Sequence, residues 1–98
     1  MTRPPTGEAE SPAGGVAWQP ALARSALLRR DPVRQADLLI VPERIVVLNE
    51  EAAAIVALCD GERTVAGIVA GVLARFPGGT EADVVEFLDR IRAEGWLR

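Results

Sequence analysis

The sequence predicts an α+β domain, a three-stranded antiparallel sheet followed by a three-helix bundle in the order βββααα. Three observations carry this. Two short apolar runs, Asp37 to Val41 (DLLIV) and Arg44 to Leu48 (RIVVL), lie either side of Pro42-Glu43. Three apolar stripes at helical spacing follow, each opened by a capping residue, Asn49, Thr64 or Thr80. Glycine closes each of them, at Gly61, at Gly78-Gly79 and at Gly95.

Residues 1–17 are dense in Pro, Gly, Ser and Glu and have no apolar period, so they read as a disordered tail or linker. The folded domain is expected over 18–98. Trp18 and Pro20 open an irregular arm that runs into a short strand around Ala26 to Arg30, and Asp31-Pro32 breaks it. The next two runs read as a hairpin with Ile40 facing Ile45 and Leu38 facing Val47 on one side. Leu39, Val46 and Leu48 occupy the other side, with Asp37 and Arg44 at its ends. Pro-Glu lacks the positive-φ residues that two-residue hairpins prefer. Both faces are mostly apolar, whereas a sheet with one side in water alternates apolar and polar, so something should cover the second face or one edge.

Asn49 caps the first helix, and Glu50-Glu51 place negative charge at the positive end of its dipole. Its stripe is Ala52, Ile55, Val56 and Cys59, and Asp60-Gly61 stops it. Thr64 caps the second helix, whose Val65, Ile68, Val69, Val72, Leu73 and Phe76 give the cleanest period in the chain. Gly67 and Gly71 within it predict a close approach by another backbone. Thr80 with Asp83 approximates a capping box before the stripe Val84, Phe87, Leu88 and Ile91. Trp96 and Leu97 should fold back on the bundle after Gly95.

Composition narrows the chemistry. The 98 residues include 11 basic residues, all arginine, against 14 acidic, for a net charge of −3, with no histidine and one cysteine. No imidazole base is available, so Ser-His-Asp and Cys-His nucleophile arrangements are absent. One cysteine makes no internal disulfide and, without histidine, no Cys/His metal site. The reading is a non-enzyme without cofactor or metal, in a reducing compartment, the cytoplasm. Apolar stretches are broken by charge before the ~20 residues a bilayer requires, so no membrane partner is expected.

The remaining motifs have plain structural readings. Cys59 lies on an apolar stripe and reads as a small core hydrophobe. Glu50 and Glu51 point about a hundred degrees apart on a helix, which suits a helix start better than acid/base work. The Gly67/Gly71 spacing resembles a membrane dimerisation motif, but the helix carries Arg75 and is too short.

Two helices joined by a tight turn beside a small sheet also describe a winged-helix-like domain. The last helix carries Glu81, Asp83, Glu86, Asp89 and Glu94 against Arg90 and Arg92, so a DNA phosphate backbone would be repelled. No nucleic-acid partner is expected. A three-stranded meander has an edge that can take up an extended peptide as an extra strand. The candidate site is the strand Arg44, Ile45, Val46, Val47 and Leu48 with a flank of the last helix, Val84, Val85, Leu88, Asp89 and Arg92. The competing reading covers both sheet faces with the helices and the arm, leaving a structural domain.

Several residues together resemble the PqqD family, small accessory proteins of pyrroloquinoline quinone (PQQ) biosynthesis. They are Leu28-Arg29, Pro42-Glu43, Leu48-Asn49, Leu58-Cys59-Asp60-Gly61, Thr64-Val65, Ile68, Pro77, Asp83-Val84, Phe87-Leu88 and Gly95-Trp96-Leu97. The resemblance spans Pro20 to Leu97, and the Pro/Gly-rich start resembles the linker found where this domain is fused to PqqC. It implies a peptide chaperone, a recognition element for ribosomally made, modified peptides. Such a protein binds the precursor peptide PqqA and presents it to the radical-SAM enzyme PqqE. It also implies that the peptide adds to the third strand beside the third helix, here Arg44 to Leu48 and the helix from Glu81 to Glu94.

Overall fold

The computed structural model describes residues 17–98. The tail expected over 1–17 therefore lies, Ala17 apart, outside the described residues. Three strands, β1 (Leu27–Asp31), β2 (Ala36–Val41) and β3 (Arg44–Leu48), precede three helices, α1 (Glu50–Ala57), α2 (Val65–Arg75) and α3 (Glu81–Ala93). The strands form one antiparallel sheet in the order β1-β2-β3.

Local chemistry sets the boundaries. Asp31 Oδ1 accepts from the Val33 and Arg34 amides and closes the β1–β2 turn, where Gln35 adopts φ +52°. Pro42-Glu43 turns β2 into β3 without a positive φ, proline serving as the preset first turn residue. The three caps act as expected: Asn49 Oδ1, Thr64 Oγ1 and Thr80 Oγ1 accept from the amides of Ala52, Gly67 and Asp83. Gly61 (φ +81°) and Gly95 (φ +85°) turn the chain through left-handed space.

The helices cover one face of the sheet. Leu39, Val41 and Leu48 from the strands, Ile55 and Val56 from α1, Ile68 and Val72 from α2, and Val84, Leu88 and Ile91 from α3 form one core. Burying each such side chain stabilises the fold by about 1.5–3 kcal/mol. Cys59 belongs to this core, and its thiol donates to the Ile55 carbonyl at 3.2 Å. Burial, reinforced by the Asp60 charge, pushes the thiol up to about 12. It is a packing residue with no thiolate to offer at neutral pH.

The other sheet face is not covered by the helices or the arm. Leu27, Ile45 and Val47 on it are 48%, 59% and 66% exposed. Leu38, on the same face, is buried yet stands outside the core cluster. The expected close backbone approach at the α2 glycines is also not found. A Cβ on Gly67 would meet only Thr64 and Arg63 side-chain atoms at 3.6 and 3.7 Å, and one on Gly71 would meet Leu58 Cδ1 at 3.0 Å.

The arm is held by the C-terminus. Ala21 and Arg98 exchange backbone hydrogen bonds of 3.1 and 2.8 Å, and the Ala23 amide donates to the Trp96 carbonyl at 2.8 Å. Pro20 O accepts from the Gly61 amide at 2.9 Å, which ties the arm to the α1–α2 turn. Trp18 completes the contact, donating its indole N–H to the Arg98 carbonyl at 3.2 Å.

Candidate functional site

Strand β3 is an edge. Among the described residues its only strand partner is β2, paired from Asp37↔Leu48 to Val41↔Arg44. A two-residue turn makes the flanking pair Val41/Arg44 a hydrogen-bonded one, and alternation extends this to Leu39/Val46 and Asp37/Leu48. Arg44, Val46 and Leu48 thus spend their backbone groups on β2. Ile45 and Val47 turn their N–H and C=O groups to the open edge, while their side chains stand on the exposed sheet face.

A groove with two cavities runs between this edge and α3, and a third cavity opens beyond its Asn49 end, between α1 and α3. The first, about 560 Å³, lies at the turn and is lined by Val41, Pro42, Glu43, Arg44, Glu94 and Trp96. The second, about 190 Å³, is floored by Val46, Ile91 and Trp96 and flanked by Arg44 and Arg90. The third, also about 190 Å³, lies between Asn49, Glu51, Ala52 and Ile55 at the start of α1 and Asp83, Glu86, Phe87 and Arg90 of α3. The first two cavities share Arg44, Glu94 and Trp96, and the last two share Arg90. The Arg44 guanidinium reaches from the strand to the helix end, with Nη2 3.6 Å from Glu94 Oε1 and Cζ 5.0 Å from the Trp96 ring centre. Both partners of this ion pair are about half exposed, so it contributes at most about 1 kcal/mol and leaves Arg44 free to move.

The sequence-derived site residues divide among three places. Arg44 and Val46 line the groove, and Ile45 and Val47 supply the free edge. Leu48, Val84 and Leu88 are core side chains, 7%, 0% and 1% exposed, and present no surface to a ligand. Val85, Asp89 and Arg92 follow one another at i, i+4 and i+7 along the other flank of α3. That flank faces the arm, where the Arg92 guanidinium sits 4.2 Å from the Trp18 ring centre. The helix therefore meets the groove through Asp83, Glu86, Phe87, Arg90, Ile91 and Glu94. Sequence reasoning missed these because the buried stripe Val84-Leu88-Ile91 is bordered by charge on both sides. The one available signal was Phe87, a half-buried aromatic on the groove flank.

Comparison with known proteins agrees with this fold. The family model described as "Coenzyme PQQ synthesis protein D (PqqD)" matches residues 38–97. A protein of Azotobacter vinelandii named "PqqA binding protein" is 41% identical over 80 residues, which is 80% of this chain and 87% of its own length. One of the same name from Klebsiella pneumoniae is 40% identical over 79 residues, covering 79% and 86%. Among solved structures, the PqqD part of Methylobacterium extorquens PqqCD, studied in solution as a stand-alone recognition element for ribosomally synthesised and modified peptides, superposes with a TM-score of 0.65. It is 32% identical, with 81% of this chain and 87% of that one covered. An α+β domain with the same sheet and helices, matched over most of its described length, places this chain in the PqqD family.

Proposed function

We propose that this chain is a peptide-binding adaptor of PQQ biosynthesis, which takes up the precursor peptide PqqA as a fourth strand on the Ile45–Val47 edge. It holds that peptide for PqqE, the radical-SAM enzyme that modifies it, and works in the cytoplasm. The relatives' name supports the choice of peptide, and the observation that carries the reading is the unpaired edge of β3 beside a groove. Backbone pairing supplies affinity whatever the peptide's sequence, and alternate side chains enter the groove to be selected. The reaction itself lies with the partner enzyme. No helix of the described residues is long and apolar enough to cross a membrane. The PqqCD protein of Methylobacterium extorquens suggests that this domain also works when joined to PqqC.

Titration of 15N-labelled protein with PqqA peptide tests the reading. Amide shifts are expected at Ile45 and Val47 and at the Trp96 indole, and none with a random DNA duplex. Shifts confined to residues away from β3 and α3, or a response to DNA at physiological salt, would overturn it.

A further inference from the structure

Charge is unevenly placed along the groove. Glu43, Glu51, Asp83, Glu86 and Glu94 line its cavities against only Arg44 and Arg90. At the turn end Glu43 and Glu94 face Arg44, which is paired with Glu94. At the Asn49 end three carboxylates, Glu51, Asp83 and Glu86, face one guanidinium, Arg90. None of these four takes part in an ion pair among the described residues. Glu51 Oε2 is buried without a hydrogen-bond donor, but it lies toward Gly79 of the α2–α3 turn, which does not line this cavity. Between the two ends, the cavity floored by Val46, Ile91 and Trp96 has room for an apolar side chain.

We propose that the groove selects a strand carrying an apolar side chain over Val46 and a cationic side chain at the Asn49 end. This deepens the peptide-binding reading and rests on it. Antiparallel pairing is the more stable per residue, and an antiparallel guest passes Leu48 before it reaches Arg44. The cationic residue therefore precedes the apolar one. Inward-facing positions recur every second residue, about 6.7 Å along a strand, so the two stand two residues apart. The apolar residue anchors, while the cation fixes register, since a slip of one residue would turn both side chains out of the groove.

The test uses the PqqA peptide as host, each position replaced in turn by Lys and by Glu. Every peptide is titrated by calorimetry against wild-type protein and against a variant combining Asp83→Asn with Glu86→Gln. Amide shifts at Ile45 and Val47 show in parallel whether the edge is occupied. At one position Lys should bind about tenfold more tightly than Glu, two residues before an apolar residue whose replacement by Ala weakens binding. The preference should fall to near unity in the variant and at roughly 0.5 M salt, where screening is strong. Glu86→Gln alone should show at least half of the effect, which covers a failure of the double variant to fold. Peptides that shift Ile45 and Val47 with no position separating Lys from Glu would overturn the charge selection and leave the edge-strand reading standing. The same holds if the preference survives in the variant. Peptides that never shift Ile45 and Val47 would overturn the edge-strand reading itself.

Discussion

Arg92 and Trp18 are joined across the back of α3, the guanidinium lying 4.2 Å from the indole ring centre. The same ring donates to the Arg98 carbonyl, so arm, helix and C-terminus meet at one point. This contact turns Arg92 to the arm, while Arg90, Ile91 and Glu94 line the cavity beside Val46 of β3.

The two flanks should therefore separate in mutagenesis. Arg92→Ala loses a cation–π contact and should lower stability by about 0.5–1 kcal/mol in chemical denaturation, with peptide affinity unchanged. Asp89→Arg should likewise leave affinity unchanged at low and high salt. Ile91→Ala, at the floor of the groove, should weaken peptide binding and also cost about 2–5 kcal/mol of stability. Weakened binding in folded Arg92→Ala, measured by calorimetry, would reverse this assignment of flanks.

A second contrast lies within one strand. Proline at Val46 removes a donor committed to β2 and should unfold the hairpin, whereas proline at Ile45 or Val47 removes only a free edge donor. Ile45→Pro and Val47→Pro should retain the far-ultraviolet dichroism of the wild type and lose peptide binding. A folded Val47→Pro protein with unaltered affinity would show that the edge backbone is not what the peptide uses.

Alkaline stability offers a nearly isolated titration. The chain contains no lysine and no tyrosine, so no such side chain competes with Cys59 over the alkaline range. The Cys59 value is raised on folding from 9.0 to about 12, mainly by burial. The folded state then holds a proton that the unfolded state gives up. Stability is fully present below pH 9.0 and falls as pH rises towards about 12, by at most about 1.4 kcal/mol per pH unit. Urea midpoints for Cys59→Ala should be lower at neutral pH and lack that alkaline slope. The wild-type thiol should react with a thiol reagent only after denaturant is added.

Two further variants calibrate the scaffold. Asn49→Ala removes the α1 cap and should cost about 1 kcal/mol, while Ile68→Ala, with its side chain 0% exposed, should cost about 2–5 kcal/mol. Asn49 also borders the acidic end of the groove, so its effect on peptide binding should be compared at equal folded fraction.

What the chain determines by itself is local. Asn49, Thr64 and Thr80 cap the helices with their own side chains, Gly61 and Gly95 take backbone angles that cost other residues more, and Pro42-Glu43 sets the hairpin register within a few residues. The edge strand Arg44–Leu48 was legible for the same reason. What only the tertiary structure decided depends on contacts distant in sequence. Charged residues border the apolar stripe of α3 on both sides, so the sequence pattern does not say which flank lies toward β3. The choice follows from the arm pairing with Trp96 and Arg98, some 75 residues away along the chain. That pairing sends Arg92 to Trp18 and leaves Arg90 and Glu94 beside the open strand. Exposure of Ile45 and Val47 is of the same kind: alternation puts them on one face, and only the placement of all three helices on the other leaves that face in water.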